Sequence, residues 1–266
     1  MDGVPRPVFS TRLLQAFLGG ALVLGTLAML QSPPGIFSDS VSGFLVLRSM
    51  DQGADFNHTL RVDPDIISED LTSFTSWWVP GQYLLPGAIQ SLGFDLGESL
   101  ILMTFLIWGL GLSGYLRLFR QLGFSSWVSW FSLALIFCQP FILGYARFYH
   151  GGDLLQWAYF PWFMDWALRA RSLKWGQLLK LTAAFCVGIF MKSSFLIFGA
   201  LALGSVFLAL WRESSFKMTR TVLWSIPKIG FIFLGSAAAL AAYTSMGESP
   251  LGNQRLVHFS IEEILF

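Results

Sequence analysis

The sequence predicts an all-α polytopic membrane protein, with about seven transmembrane helices and interfacial helices in a long first extracytoplasmic loop. Three observations carry this. Hydrophobic residues make up 54% of the 266 positions and charged residues only 12%, with mean hydropathy +0.60, against roughly 25% charged in a soluble domain. Aromatic residues reach 16%, including 11 Trp and 26 Phe, which suits belts at bilayer interfaces. Apolar runs close to the ~20 residues that a span requires recur along the chain. A net charge of +1 gives no basic face for nucleic acid. Cys138 and Cys186 fall in apolar runs and read as small buried hydrophobes, with no disulfide or metal framework.

Leu13 to Leu30 makes the first span, with Gln15 its one strongly polar side chain and Arg6 and Arg12 ahead of it. A cleaved signal peptide is the competing reading. Leu27-Ala28-Met29-Leu30-Gln31 offers no small-x-small cleavage site, and the run exceeds the usual ~7–15 residues, so an uncleaved anchor is expected. Residues 31–97 form the long loop. Ser99 to Leu118 is the second span, and Trp127 to Phe148 the third, kinked at Pro140. Leu154 to Leu168 is the fourth, after the helix-breaking Gly151-Gly152. Gln177 to Trp211 is too long for one ordinary span, and Lys192-Ser193-Ser194 divides it. The seventh runs from about Val222 to Tyr243. Residues 1–243 thus form one seven-span module, and 244–266 a polar extracytoplasmic tail that stops soon after it.

Positive charge sets the orientation. Basic clusters flank 125–168 on both sides, and 177–211 likewise; if they stay cytoplasmic, each stretch crosses an even number of times. The N-terminus is then inside and the tail outside. Of the 17 Lys and Arg, only Arg48, Arg61, Arg147, Lys192 and Arg255 lie outside; of the 16 Asp and Glu, only Asp2, Asp165 and Glu213 lie inside. The expected location is a bacterial inner (plasma) membrane, with the reactive face extracytoplasmic. All three histidines fall on that face too, without the spacing of zinc ligands.

The first loop divides into three parts. Ser38 suits an N-cap for a helix starting near Asp39. Val41, Phe44, Leu45 and Arg48 then share one face of a helix lying along the membrane. Asp39 falls in its first turn, where the helix dipole favours the ionised form. The middle part, Asp51 to Asp70, is acidic and reads as irregular, with Asp63-Pro64-Asp65 as a turn. Its Asn57-His58-Thr59 sequon has meaning only in a glycosylating secretory route. The third part, Ser76 to Gly87, is apolar but broken by Pro80-Gly81 and Pro86-Gly87. It reads as an interfacial or re-entrant segment with Trp77-Trp78 at headgroup depth, serving either as an anchor or as one wall of a lipid groove.

Seven spans, Asp39 soon after the first, and Asp153 in His150-Gly151-Gly152-Asp153 after the third resemble the GT-C superfamily of membrane glycosyltransferases. That group includes protein O-mannosyltransferases, the lipid A aminoarabinose transferase and oligosaccharyltransferase catalytic subunits. The resemblance covers the N-terminal seven-span module, nearly this whole chain. It implies a polyprenyl-phosphate-linked sugar donor used at the extracytoplasmic face. Asp39 matches the first-loop acid, a general base or metal ligand, and Asp153 the second-loop acid. A divalent cation, magnesium or manganese, held by Asp39 and Asp153 is the cofactor implied. Asp39 stands alone between two serines where several members carry a paired acid. The chain also ends where members usually continue, which reads as a fragment, as a split gene product with a partner chain supplying a C-terminal module, or as a reduced member; the bilayer itself is the other partner.

Sugar transfer to a hydroxyl needs a base for the acceptor's proton and positive charge for the departing phosphate. Asp39 is the candidate base, against a plain carboxylate at a helix N-terminus. Asp153 either holds a cation or orients the acceptor, against an N-cap of the fourth span. Arg48, Arg147 and Lys192 are the outer cations nearest membrane boundaries and so the phosphate candidates. Lys192, at a helix–helix turn, also suits a snorkelling lysine. His150 is a candidate partner for phosphate or acceptor hydroxyl, against a purely structural histidine. The leading function is inverting glycosyl transfer. A non-catalytic GT-C-like scaffold is the alternative the short C-terminus favours. A transporter or flippase component for lipid-linked sugars would need internal repeats and ionisable residues within spans. Asp165, four residues before Arg169, reads as that arginine's local partner.

Overall fold

A computed structural model describes residues 8–75, 79–170 and 174–246, apart from the side chains of residues 8–10 and Asp39. The Trp77-Trp78 pair and most of the 244–266 tail therefore lie outside the described residues. Helix dominates. The order is α1 (Val8–Gln31), β1 (Gly35–Ile36), α2 (Ser38–Asp51), β2 (His58–Val62), β3 (Asp70–Phe74), α3 (Gly81–Gln90) and α4 (Leu96–Gln121). Then follow α5 (Ser126–Phe137), α6 (Pro140–Gly144), β4 (Phe148–Tyr149), α7 (Gly152–Arg169), α8 (Trp175–Met191), α9 (Phe195–Glu213) and α10 (Arg220–Ser245).

Helix starts follow local chemistry. Asp95 and Glu98 form a reciprocal capping box at α4, Glu98 N–H donating to Asp95 at 2.7 Å. Ser125 and Thr219 cap α5 and α10 through their hydroxyls. At α2 the expected cap shifts by one. Phe37 is the N-cap, with extended backbone and no side-chain bond, and Ser38 is already helical. The reason lies in Phe37 itself, whose N–H is bonded to Tyr149 O at 3.1 Å, so strand pairing fixes its backbone.

Thr11–Gln31, α4, α9 and α10 are long and apolar enough to cross a membrane. The Thr11–Gln31 segment has mean hydropathy 2.0, yet only 11% of it is buried inside the protein. Leu24 and Leu30 stand 68% and 63% exposed. Such continuous apolar surface needs a lipid environment.

The third predicted span is not one kinked helix. α5 stops at Phe137, Cys138 and Gln139 follow, and Pro140 opens the separate short α6. A residue before proline is driven to extended backbone, and Gln139 has ψ 132°. At 12 residues α5 is about 18 Å long, short of the ~30 Å hydrocarbon core. Cys138 at the break is exposed rather than buried, and Cys186 is half-buried. The acidic middle of the first loop is likewise more ordered than expected. β2 and β3 pair as an antiparallel hairpin, His58 opposite Phe74 through Val62 opposite Asp70. Asp63 closes its turn by accepting from Asp65 N–H at 2.8 Å.

Two apolar clusters share α7. Its first half, Leu154, Leu155 and Ala158, packs with α1 to α6; its second half, Phe163 and Ala167, packs with α8, α9 and α10. β1 and β4 pair in parallel, Gly35 with Phe148 and Ile36 with Tyr149. The exit from α1 and the entry to α7 therefore meet at one end of the bundle. The Arg117–Asp165 ion pair joins the far ends of α4 and α7.

Candidate functional site

The β1–β4 pairing creates the site. It sets the first turn of α2 beside the first turn of α7. Gly151, the N-cap of α7, has φ 55°, a conformation that side chains rarely adopt. A Cβ there would approach Gln82 Oε1 to 2.5 Å and Ser40 Oγ to 2.8 Å. Ser40 lies in the first turn of α2 and Gln82 in that of α3. Three helix N-termini thus converge, and the start of α9 adjoins them through Ser194, which donates to Gln156 of α7 at 2.7 Å. Each N-terminus carries roughly half a positive charge. The convergence favours an anion.

Asp153 and Lys192 form an ion pair across this junction, Nζ to Oδ1. Asp153 is therefore not the N-cap of the fourth predicted span; it is the second residue of α7, and Gly151 takes the cap position without a side-chain bond. Lys192 reaches it because α8 ends at Met191 and Lys192 turns to extended backbone, φ −158° and ψ 130°. Gly152 keeps the approach open, since a Cβ there would meet Met191 O at 2.7 Å.

His150 stacks on Phe37 with ring centroids 4.4 Å apart and meets Tyr145 edge-on at 5.2 Å. It is half-buried at the mouth of the cluster. Arg147 is exposed in the preceding turn, where its carbonyl accepts from Gly35 N–H at 2.8 Å. Arg48 stands apart, exposed in the last turn of α2. Nine residues of helix put it about 13 Å along the axis from Asp39. The proposed face of α2 also splits: Val41 and Leu45 are 39% and 52% exposed, whereas Phe44 is 8% exposed, turned in toward Tyr149. Asp39 is in the first turn of α2, but its side chain lies outside the described residues.

Two buried donors completing the cluster were not among the residues expected from the sequence. Gln82 is 5% exposed and Tyr145 0%, yet Gln82 Nε2 and the Tyr145 hydroxyl have no hydrogen-bond partner among the described residues. Burial, with the Asp153 carboxylate second, pushes the Tyr145 hydroxyl well above the ordinary tyrosine range. It stays a protonated donor. Burial raises Tyr149 likewise, and its hydroxyl donates to Gln82 O at 2.7 Å, fixing the start of α3. A buried donor left without a partner costs on the order of 1–3 kcal/mol, which a bound acceptor would recover. Gln82 follows Pro80-Gly81 inside an apolar stretch, and that isolated polarity was the available signal.

An apolar groove of about 500 Å³ lies between α3, α4, α7 and α8, and three of its lining residues neighbour the polar cluster along the chain. Leu85 follows Gln82 by three residues, Leu155 follows Asp153 by two, and Met191 precedes Lys192; Met103, Ile107 and Trp162 continue the walls. Polar donors and a neighbouring apolar groove match an amphiphile with an anionic head. The cation expected at Asp39 and Asp153 rests in part on the Asp39 side chain, which lies outside the described residues. Asp153 is committed to Lys192, and no group of three His, Cys, Asp or Glu gathers among the described residues. No family model matches the chain, and neither a curated protein nor a solved structure matches it.

Proposed function

We propose that the protein is a membrane glycosyltransferase of GT-C type, moving a sugar from a polyprenyl-phosphate donor to a hydroxyl acceptor with inversion. The observation that carries this reading is the convergence of three helix N-termini, Lys192 and two unpartnered buried donors, within three residues along the chain of the walls of an apolar groove. The donor's phosphate takes the polar head and its isoprenoid chain the groove. The acceptor oxygen attacks the anomeric carbon, and the carbon–oxygen bond to phosphate breaks with its electron pair leaving on phosphate. Asp39 takes the acceptor's proton. Lys192, with Tyr145 and Gln82 as donors, stabilises the charge growing on the leaving phosphate. Asp153 holds Lys192 in place.

The reading includes seven crossings, of α1, α4, the broken α5–α6, α7, α8, α9 and α10. The basic helix ends are cytoplasmic, and the β1–β4 end is extracytoplasmic. A second reading has one observation in its favour. The Asp153–Lys192 pair also serves to fasten the α8–α9 turn to α7, as it would in a scaffold that binds the lipid without transfer. The test is transfer of labelled sugar from a polyprenyl-phosphate donor in membranes containing the full chain, wild type against Asp39→Asn. Lipid binding without transfer supports the scaffold.

A further inference from the structure

The opposite end of the bundle holds a second polar site that glycosyl transfer does not use. Asp165 is 0% exposed near the end of α7. Its carboxylate accepts from Arg117 of α4 at 2.7 Å and from Arg169 at 3.0 Å. Arg169 also donates to Gln121 Oε1 at 3.0 Å. One buried carboxylate thus fixes two guanidinium groups and leaves one positive charge in excess. Beside them a cavity of about 460 Å³ opens between α7 and α8, lined by Trp166, Arg169, Gln177 and Lys180. Lys180 is exposed and has no ion-pair partner among the described residues. Arg120, Lys174 and Arg212 end or begin neighbouring helices here, so the surrounding field is positive.

We propose that this cavity binds the phosphodiester headgroup of an anionic membrane lipid. Arg169 offers a planar donor fork to phosphate oxygens, and Lys180 a mobile point charge. An arginine that only anchored the helix would be free to snorkel; Arg169 is instead held in one geometry by Asp165 and Gln121. Trp166 belongs at headgroup depth. Leu181 and Ala184 carry the cavity wall one turn deeper along α8. That continuation suits a lipid, whose chains stay in the bilayer, over a free phosphate.

The test is native mass spectrometry of the detergent-solubilised full chain with phosphatidylglycerol or phosphatidylcholine of matched chains. Phosphatidylglycerol should be retained preferentially, and Lys180→Gln should weaken it about fivefold, the share of one cation near an anionic lipid. Arg169→Lys, which keeps the charge and loses the fork, should weaken it as well, and Lys180→Arg should restore binding. Lys217→Gln, a basic residue outside the cavity, should leave retention unchanged. Equal retention of the two lipids would overturn the proposal, as would equal weakening by Lys217→Gln, which would mean diffuse attraction only. Displacement of the lipid by millimolar glycerol phosphate would also overturn it, assigning the cavity to a free phosphate. None of these readouts depends on sugar transfer, so failure here and failure of the transferase reading are separable.

Discussion

Lys192 and Asp153 join the α8–α9 turn to the first turn of α7, at the point where the N-termini of α2, α3 and α7 converge. Both side chains keep contact with solvent, at 28% and 38% exposure. A partly exposed pair contributes only about 0.2–1 kcal/mol. Asp153→Asn and Lys192→Gln should therefore leave folding nearly intact. In a double-mutant cycle on chemical unfolding, their coupling should stay below about 1 kcal/mol. Lys192→Gln should nevertheless slow transfer by about 100-fold or more, because it removes the charge facing the leaving phosphate.

Tyr145→Phe should separate stability from function. Its hydroxyl is buried and unpartnered among the described residues, so deleting it removes an unsatisfied group. The apparent melting temperature of the ligand-free protein should hold or rise. Donor binding should weaken by about tenfold or more, the value of a hydrogen bond to a charged acceptor. A fall in melting temperature with unchanged donor affinity would assign Tyr145 to packing alone.

Alkaline pH should destabilise the fold. Burial raises Tyr83, with Tyr243 as a second cause, and raises Tyr145 and Tyr149. A raised folded value means that the unfolded chain loses these protons first, so the stability they contribute is complete below about pH 10 and is lost above it. The melting temperature should be flat from pH 7 to 9 and fall beyond about pH 10. Tyr149→Phe should reduce the slope of that fall.

Asn57 should prove structural and carry no glycan. Its side chain donates to Thr75 O at 2.6 Å and to the Tyr243 hydroxyl at 2.8 Å, and accepts from Tyr83. It is fully buried at φ 62°, a left-handed conformation that asparagine tolerates. The cluster ties the β2–β3 hairpin to α3 and α10. Asn57→Ala should cost about 2–4 kcal/mol by orphaning buried groups, read from the unfolding midpoint. In a glycosylating host the mass of the folded protein should not change on deglycosylation.

The helical class was legible because composition and apolar run length act over whole segments. The division of Gln177 to Trp211 at Lys192-Ser193-Ser194 was legible too, since two polar residues follow a cation inside an otherwise apolar run. Other features escaped for physical reasons. Pro140 reads as a kink until its partner Gln139 is seen in extended backbone, which ends one helix and starts another. The β2–β3 hairpin buries its residues in blocks rather than alternately, and acidic residues fill the turn between its strands, so no period of two registers as strand. The polar cluster depends on β1 pairing with β4, Gly35 with Phe148 far along the chain, and nothing local in Gly35-Ile36 announces that partner. Asp153 and Lys192 were each visible as isolated charges; their contact was not. Gln82 and Tyr145 matter only because burial denies them water.

Whether this membrane protein transfers sugar is read from the transfer rate, with the anomeric configuration of the product determined by NMR, in membranes carrying wild type, Asp39→Asn or Asp153→Asn. Wild type should give inverted product. Asp39→Asn should slow transfer by about 100-fold or more through loss of the general base, and Asp153→Asn should slow it through loss of the Lys192 position. Wild-type rates in both variants, or product that retains the donor's configuration, would contradict this mechanism.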